Sequence, residues 1–281
     1  RLTRQYHKHQ RKLHIAYGKP EEVLDAILER YEIDEVVAHR DFTPYARDRD
    51  RKLQQVAKDH GIDFTLLLDH MMIQAESFTD FTGKDGYYKV FAPFHRKWLD
   101  FLDAKPNPVS PVSLGELKVS KQELNLPESF RLPFDLDEFK PADDPHPKLE
   151  QFVQGKIKDY GEERDYYAID PSSELNPHLV AGALSVREMY SSAIDQAQSE
   201  EWIRQIAFRD FYLYQAIYDE NYFQYEKKYD LSALDDRHFE AWYKGETGIP
   251  VIDASMRQLN ETGCMHNRLR ILSAMFLTKN L

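Results

Sequence analysis

The chain has 281 residues, enough for one large domain or two ordinary ones, and its 30% charged and 42% hydrophobic residues exclude a wholly disordered or fibrous protein. Its net charge of −11 excludes a histone-like, wholly basic nucleic-acid binder. No apolar run approaches membrane-spanning length, and the single cysteine, Cys264, has no partner for an internal disulfide.

The first ten residues are basic and polar, without the apolar core of a signal peptide. A reducing, cytoplasmic setting with no membrane partner is therefore expected, and no Cys/His spacing suggests a metal site. Charge is unevenly spread. Residues 257–281 carry net +3 and leave −14 on the remainder, a pattern that suits one anionic ligand or a nucleic-acid contact as well as a plain basic helix.

In chain order, the first hundred residues alternate strand and helix signals. Residues 13–17 form a short apolar stretch stopped at Gly18, which predicts a first strand. Pro20 stands where a first helical turn tolerates it, and Val23, Leu24, Ile27, Leu28 and Tyr31 follow at helical spacing. Val36 and Val37 mark a second strand, residues 47–60 a charged helix closed by Gly61, and residues 62–68 a third strand. The alternation predicts βαβ units and a parallel sheet. Residues 104–159 hold eight prolines and few periodic apolar positions, and read as an interdomain connector laid across the surface. Beyond residue 160 the strand signals end; 185–198, 200–220, 237–244, 250–261 and 265–281 read as helices. The expected organisation is an α/β domain over 1–103, a connector over 104–159 and a helical domain over 160–281.

Three constellations could carry chemistry. The helix over 200–220 has an inward stripe Trp202, Ile206, Arg209, Leu213, Ala216, with Gln205 and Phe208 lining an adjoining face. A guanidinium in that stripe needs a partner, either a protein carboxylate such as Asp210 or Asp253 or a ligand phosphate. In the last helix Met265, Leu269, Leu272 and Phe276 form a core stripe. Asn267 and Arg270 share another face, and Arg268 points nearer solvent; an ordinary polar face with an ion pair explains these equally well. Residues 171–177 bring Ser172, Ser173 and Asn176 before a helical stretch, as a phosphate cradle or, more commonly, a helix cap. There is no P-loop, no GxGxxG and no nucleophilic triad.

The longest motif decides between these readings. Trp242-Tyr-Lys-Gly-Glu-Thr-Gly-Ile-Pro-Val-Ile-Asp-Ala-Ser-Met-Arg-Gln-Leu259, running into Thr262-Gly-Cys-Met-His-Asn-Arg-Leu-Arg270 and Phe276-Leu-Thr-Lys279, strongly resembles the photolyase/cryptochrome family. Phe208-Arg-Asp-Phe-Tyr212, Leu175-Asn-Pro-His-Leu179, Asp41-Phe-Thr-Pro-Tyr45 and Val90-Phe-Ala-Pro-Phe94 extend the likeness over almost the whole chain. The resemblance implies an N-terminal α/β domain with a partial Rossmann-like parallel sheet and an all-α C-terminal FAD-binding domain. It also implies FAD-dependent, blue-light-driven repair of pyrimidine dimers in DNA, by a monomeric photo-lyase (a carbon–carbon lyase) acting on a dimer flipped out of the duplex. The alternative within the family is a cryptochrome-like flavin photoreceptor without repair activity.

Carried over position by position, Tyr160, Ser172, Ser173, Leu175 and Asn176 are expected to hold the FAD phosphates and ribityl chain. Arg209, Asn267 and Arg270 are expected to face the flavin, with Gln205 also at the cofactor. Gln205, Phe208 and Asn267 border the lesion pocket as the catalytic set, and Arg268 contacts a DNA phosphate. Family members that repair cyclobutane dimers generally carry Glu at Gln205 and Trp at Phe208; Cys264 replaces a usual Trp and Asn176 a usual Ser. These departures leave the lesion type, cyclobutane or 6-4, and the choice between repair and signalling open. Residues 227–237 hold no tryptophan of the family's electron-transfer chain. A second, antenna chromophore is implied, folate or deazaflavin, with His39 and Ala46 where folate-binding members often have Asn and Glu. Against the family pattern, the chain is expected to be a fragment lacking the first strand and the C-terminal flavin loop.

Overall fold

The computed structural model describes residues 2–105, 124–138, 143–167, 169, 171–219, 221–224 and 236–280. Parts of two expectations, residues 106–123 and 139–142 of the connector and 227–235 of the tryptophan-free region, lie outside the described residues.

Helix α1 (Leu2–Lys8) is followed by α2 (Pro20–Leu28), which opens on a proline with Glu21 and Glu22 in its first turn, where acidic groups suit the helix dipole. Strand β1 (Glu35–His39), helix α3 (Pro44–Asp59) and strand β2 (Asp63–Leu67) form one βαβ unit. Thr43 caps α3 by accepting the Ala46 N–H, Pro44 follows the cap, and Gly61 turns the chain out at φ +72°. The strands pair in parallel from Glu35 opposite Asp63 to His39 opposite Leu67. Residues 13–17 are not the strand that their apolar character predicts. The Tyr17 N–H donates to Phe130 O at 2.9 Å, a bond to the middle of the connector rather than a rung of a strand ladder. Ile15 and Tyr17 stay exposed, so the stretch lacks the buried face that would fix a strand.

Helices α4 (Ala75–Thr82) and α5 (Phe91–Ala104) complete the N-terminal third. The described connector holds two short 3-10 turns, Glu128–Phe130 and Leu136–Glu138, and a regular helix, α6 (Pro145–Gly155), that buries Leu149, Phe152 and Val153. Pro145 and Pro147 fall in the first turn of α6, where proline is tolerated. Then come α7 (Tyr160–Glu163), α8 (Asn176–Val180), α9 (Val186–Ala193), α10 (Glu200–Tyr218), α11 (Asp236–Lys244), α12 (Pro250–Thr262) and α13 (Asn267–Asn280). Helix α9 stops at Ala193, five residues before its predicted end, and Gln198 takes φ +61° in the turn that follows. Among the described residues no helix is long and apolar enough to cross a membrane.

The chain divides into two compact units. The first, Arg1–Lys158 with Ser173–Phe223, is built on an aromatic core from α4, α5 and α10. Phe78, Phe94, Trp98 and Tyr214 are each fully buried there. The Phe78 ring meets Phe94, Phe101 and Tyr214 edge-on at 5.2–5.6 Å, the geometry that the ring quadrupole favours. The second, Asp159–Ser172 with Gln224–Leu281, has its own core of Ile252, Met256, Met265 and Leu269, flanked by Trp242, Leu259 and Phe276. The expected stripe on α13 is corrected at one position: Leu272 is 41% exposed and Ser273 takes the inward place, accepting from the Trp242 indole N–H at 3.0 Å.

Candidate functional site

Helix α10 buries Trp202, Ile203, Ile206, Ala207, Asp210, Phe211, Tyr214 and Ala216. Of the expected stripe, Trp202, Ile206 and Ala216 are buried, while Arg209 and Leu213 are only partly so; the charged residue at the centre of the inward face is Asp210, not Arg209. Asp210 is wholly buried in the first unit. Its carboxylate accepts the N–H groups of Met72 at 3.1 Å and Ile73 at 3.2 Å, and the Trp98 indole N–H at 2.9 Å. Burial pushes its pKa up to about 6, against those bonds and the nearby Arg209 charge. Arg209 is half-buried beside it. Its guanidinium donates to the His70 carbonyl; burial lowers its pKa and Asp210 opposes that shift.

With the core side so occupied, Gln205, Phe208, Arg209 and Tyr212 recur at i, i+3, i+4 and i+7 on another face. The Gln205 amide donates to Glu201 O at 3.0 Å. Phe208 lies flat on Phe91 of α5, centroids 3.5 Å apart and planes within 8°. The Arg204 guanidinium stands 5.6 Å from the Phe91 ring and 5.8 Å from the Phe208 ring, within cation–π range of both. His95 stacks on Phe91 at 5.2 Å; burial first, then the Arg204 charge, lowers its pKa and favours the neutral imidazole. Phe91 and Arg204 were not among the residues expected from sequence. Phe91 stands in a motif, but nothing local reveals that its ring meets one 117 positions away.

The serines of the expected phosphate turn do not cap the helix that follows. Helix α8 has Leu175 at its N-cap with no side-chain cap bond. Leu175 is 1% exposed and packs into the first unit, Ser173 is half-buried and Asn176 is exposed. Ser172, exposed, belongs to the second unit. So does Tyr160, whose half-buried ring lies 5.9 Å from the Arg164 guanidinium. Asn267, Arg268 and Arg270 are exposed on the first turn of α13. Arg270 donates to Met265 O at 3.4 Å. Arg268 forms a two-pronged ion pair with Asp165, its second N–H reaching the carboxylate at 3.0 Å. The partner is thus Asp165, a residue with no sequence signal of its own. Ala46, at the expected antenna position, is 1% exposed, and His39 closes β1. Two clefts in the first unit, of about 480 and 310 Å³, are lined by other residues, among them Tyr45, Arg49 and Lys52 in the larger and Arg40, Asp41 and Arg47 in the smaller. Among the described residues there is no metal-ligand cluster.

Residues 202–281 match the family described as the FAD binding domain of DNA photolyase, and residues 1–111 match the family DNA photolyase. A deoxyribodipyrimidine photo-lyase of Vibrio cholerae is 31% identical over 268 residues, covering 88% of this chain and 56% of that protein. Among solved structures, a class III photolyase of Agrobacterium tumefaciens superposes with a TM-score of 0.78 at 26% identity, covering 100% of this chain and 61% of the other. A cryptochrome of Synechocystis superposes with a TM-score of 0.76 at 26% identity, covering 99% and 62%. The chain thus spans about three fifths of the length of these three relatives.

Proposed function

The chain belongs to the photolyase/cryptochrome family, and from that premise we propose that it serves the FAD-dependent, blue-light-driven repair of pyrimidine dimers in DNA. The observation that carries the reading is the ordered match of both ends of the chain, 1–111 and 202–281, to the photolyase families. As a functional division, residues 1–103 form the antenna part, 104–159 the connector and 160–281 the FAD-binding part. The donor set suits the cofactor: Ser172 and Ser173 hydroxyls and the Arg209 and Arg270 guanidinium groups for anionic and carbonyl oxygens, with Gln205, Asn176 and Asn267 amides able to donate and accept. Tyr160 adds apolar surface, and Leu175, buried in the first unit, anchors the turn that carries Ser173 and Asn176. When bound, FAD supplies the light-driven electron transfer to the dimer.

The chain's own residues bind and orient. Gln205 offers a neutral amide whose NH2 group can donate to a base carbonyl and whose oxygen can accept from a base N–H, at every pH. Phe208, backed by Phe91, offers an apolar ring to a base taken out of the stack. Asn267 completes this catalytic set, and Arg268 holds a phosphate beside the lesion. Arg209, bonded to the His70 carbonyl and neighbouring Asp210, keeps a fixed positive charge on the same helix. The protein acts as a cytoplasmic monomer on damaged DNA, with a second antenna chromophore of folate or deazaflavin type.

The test is illumination of the purified full-length protein with a thymine-dimer oligonucleotide, after its absorption spectrum is recorded. Restored thymines in light and none in darkness are expected. A flavin spectrum without repair would favour the second reading, a cryptochrome-like photoreceptor. That reading is supported by Gln205 and Phe208 and by the likeness to the Synechocystis cryptochrome.

A further inference from the structure

Arg268 is the residue read as a DNA phosphate contact, yet in the folded chain its guanidinium is already engaged. Its Nε and Nη2 groups donate to the two carboxylate oxygens of Asp165. A guanidinium grips a phosphate with the same paired N–H groups that it uses on a carboxylate. The two residues are 103 positions apart, and more than this pair holds them together. His266 Nε2 lies 2.9 Å from the Arg164 carbonyl, which only accepts, so Nε2 carries the proton. Nδ1 then accepts the Arg268 backbone N–H at 3.2 Å. The Tyr167 ring packs against the same imidazole at 5.1 Å. The turn after α7 and the start of α13 are thereby held so that the Asp165 carboxylate meets the Arg268 fork.

We propose that Asp165 is a built-in stand-in for DNA phosphate: it occupies the Arg268 fork until a backbone phosphate of bound DNA displaces it, and so lowers the affinity for DNA. The inference rests on the reading of Arg268 as a phosphate contact. The Nε–Nη2 edge of a guanidinium accommodates one bidentate anion at a time, so the two occupants exclude each other. Both side chains are about half exposed, at 51% and 52%, and an ion pair so open to water is weak enough to exchange. A carboxylate left unpaired beside the DNA backbone then opposes binding further.

The experiment is an anisotropy titration of labelled duplex, with and without a thymine dimer, against the full-length wild type, Asp165→Asn, Arg268→Ala and the double variant at several KCl concentrations. Arg268→Ala should weaken binding to both duplexes alike and flatten the log–log salt slope by roughly one unit. Asp165→Asn should tighten binding about two- to fivefold, the gain expected from no longer displacing an exposed ion pair, and steepen the salt slope. In the Arg268→Ala background that gain should vanish. An equal gain in both backgrounds would mean that only net charge had changed, and would overturn the proposal, as would an unchanged affinity in Asp165→Asn. If Arg268→Ala alone leaves affinity unaltered, the phosphate reading of Arg268 fails first and Asp165 is an ordinary surface partner. Matching thermal unfolding of Asp165→Asn and wild type shows that folding is not the cause.

Discussion

Asp210 satisfies three buried donors with two oxygens, and its proton balance follows from that crowding. Its folded pKa, about 6, lies above the ordinary 3.8, so the folded chain holds the proton more tightly than the unfolded chain does. The stability this confers is fully present below about pH 4 and is lost as pH rises through about 6, on the order of 3 kcal/mol in all. Urea unfolding between pH 4 and 7 should show this loss in the wild type and not in Asp210→Asn. Asp210→Ala leaves the Met72, Ile73 and Trp98 donors unpaired and should cost about 3 kcal/mol or more at pH 7, read from the urea midpoint. Phe208 makes a separable contribution. Phe208→Ala removes the stack on Phe91 and part of the Arg204 contact, with an expected loss of about 1–2 kcal/mol of stability. Under the repair reading it also weakens binding of dimer-containing DNA while leaving undamaged duplex unaffected, a difference that competition titration measures.

The α11–α12 junction shows how an element boundary can be fixed by a few atoms. Gly245 takes φ +70°, and a Cβ there would stand 2.6 Å from the Asp253 backbone oxygen. Backbone cannot yield as a side-chain tip does, so Gly245→Ala should destabilise the chain by about 2 kcal/mol or more, measured by chemical denaturation. Asp253 sits in the first turn of α12 and accepts from Thr247 Oγ1 at 2.6 Å and from the Thr247 and Gly248 N–H groups at 2.8 and 3.0 Å. These bonds, led by that of the Thr247 hydroxyl, hold its pKa below the ordinary carboxylate value. With the folded pKa depressed, its stabilisation is present above the ordinary value and is lost as pH falls through the folded one. The melting-temperature gap between wild type and Asp253→Asn should therefore be widest near pH 7 and close toward pH 3.

For the whole molecule, charge sets the terms of any DNA complex. An acidic body of net −14 repels the duplex, and the +3 of residues 257–281 must outweigh it locally. Binding should weaken steeply with salt, each phosphate contact contributing roughly −0.9 to the log–log slope. A titration between 50 and 200 mM KCl with a flat response would exclude phosphate contacts as the source of affinity.

Local periodicity and caps were enough to read α2, α3, β1, β2 and the helices from α10 onward, because the bonds that define them join residues a few positions apart. Motif likeness reached further and identified the family. Neither could show that residues 13–17 lack a strand partner, since a strand exists only through a neighbour. Nor could they place Asp210 rather than Arg209 on the inward face of α10. The two are adjacent in sequence, and the choice depends on whether donors from Met72, Ile73 and Trp98 arrive to satisfy a buried carboxylate. The stack of Phe208 on Phe91 and the grip of Arg268 on Asp165 are likewise tertiary facts. Each joins groups more than one hundred residues apart, and only the folded backbone brings such groups within a few ångströms.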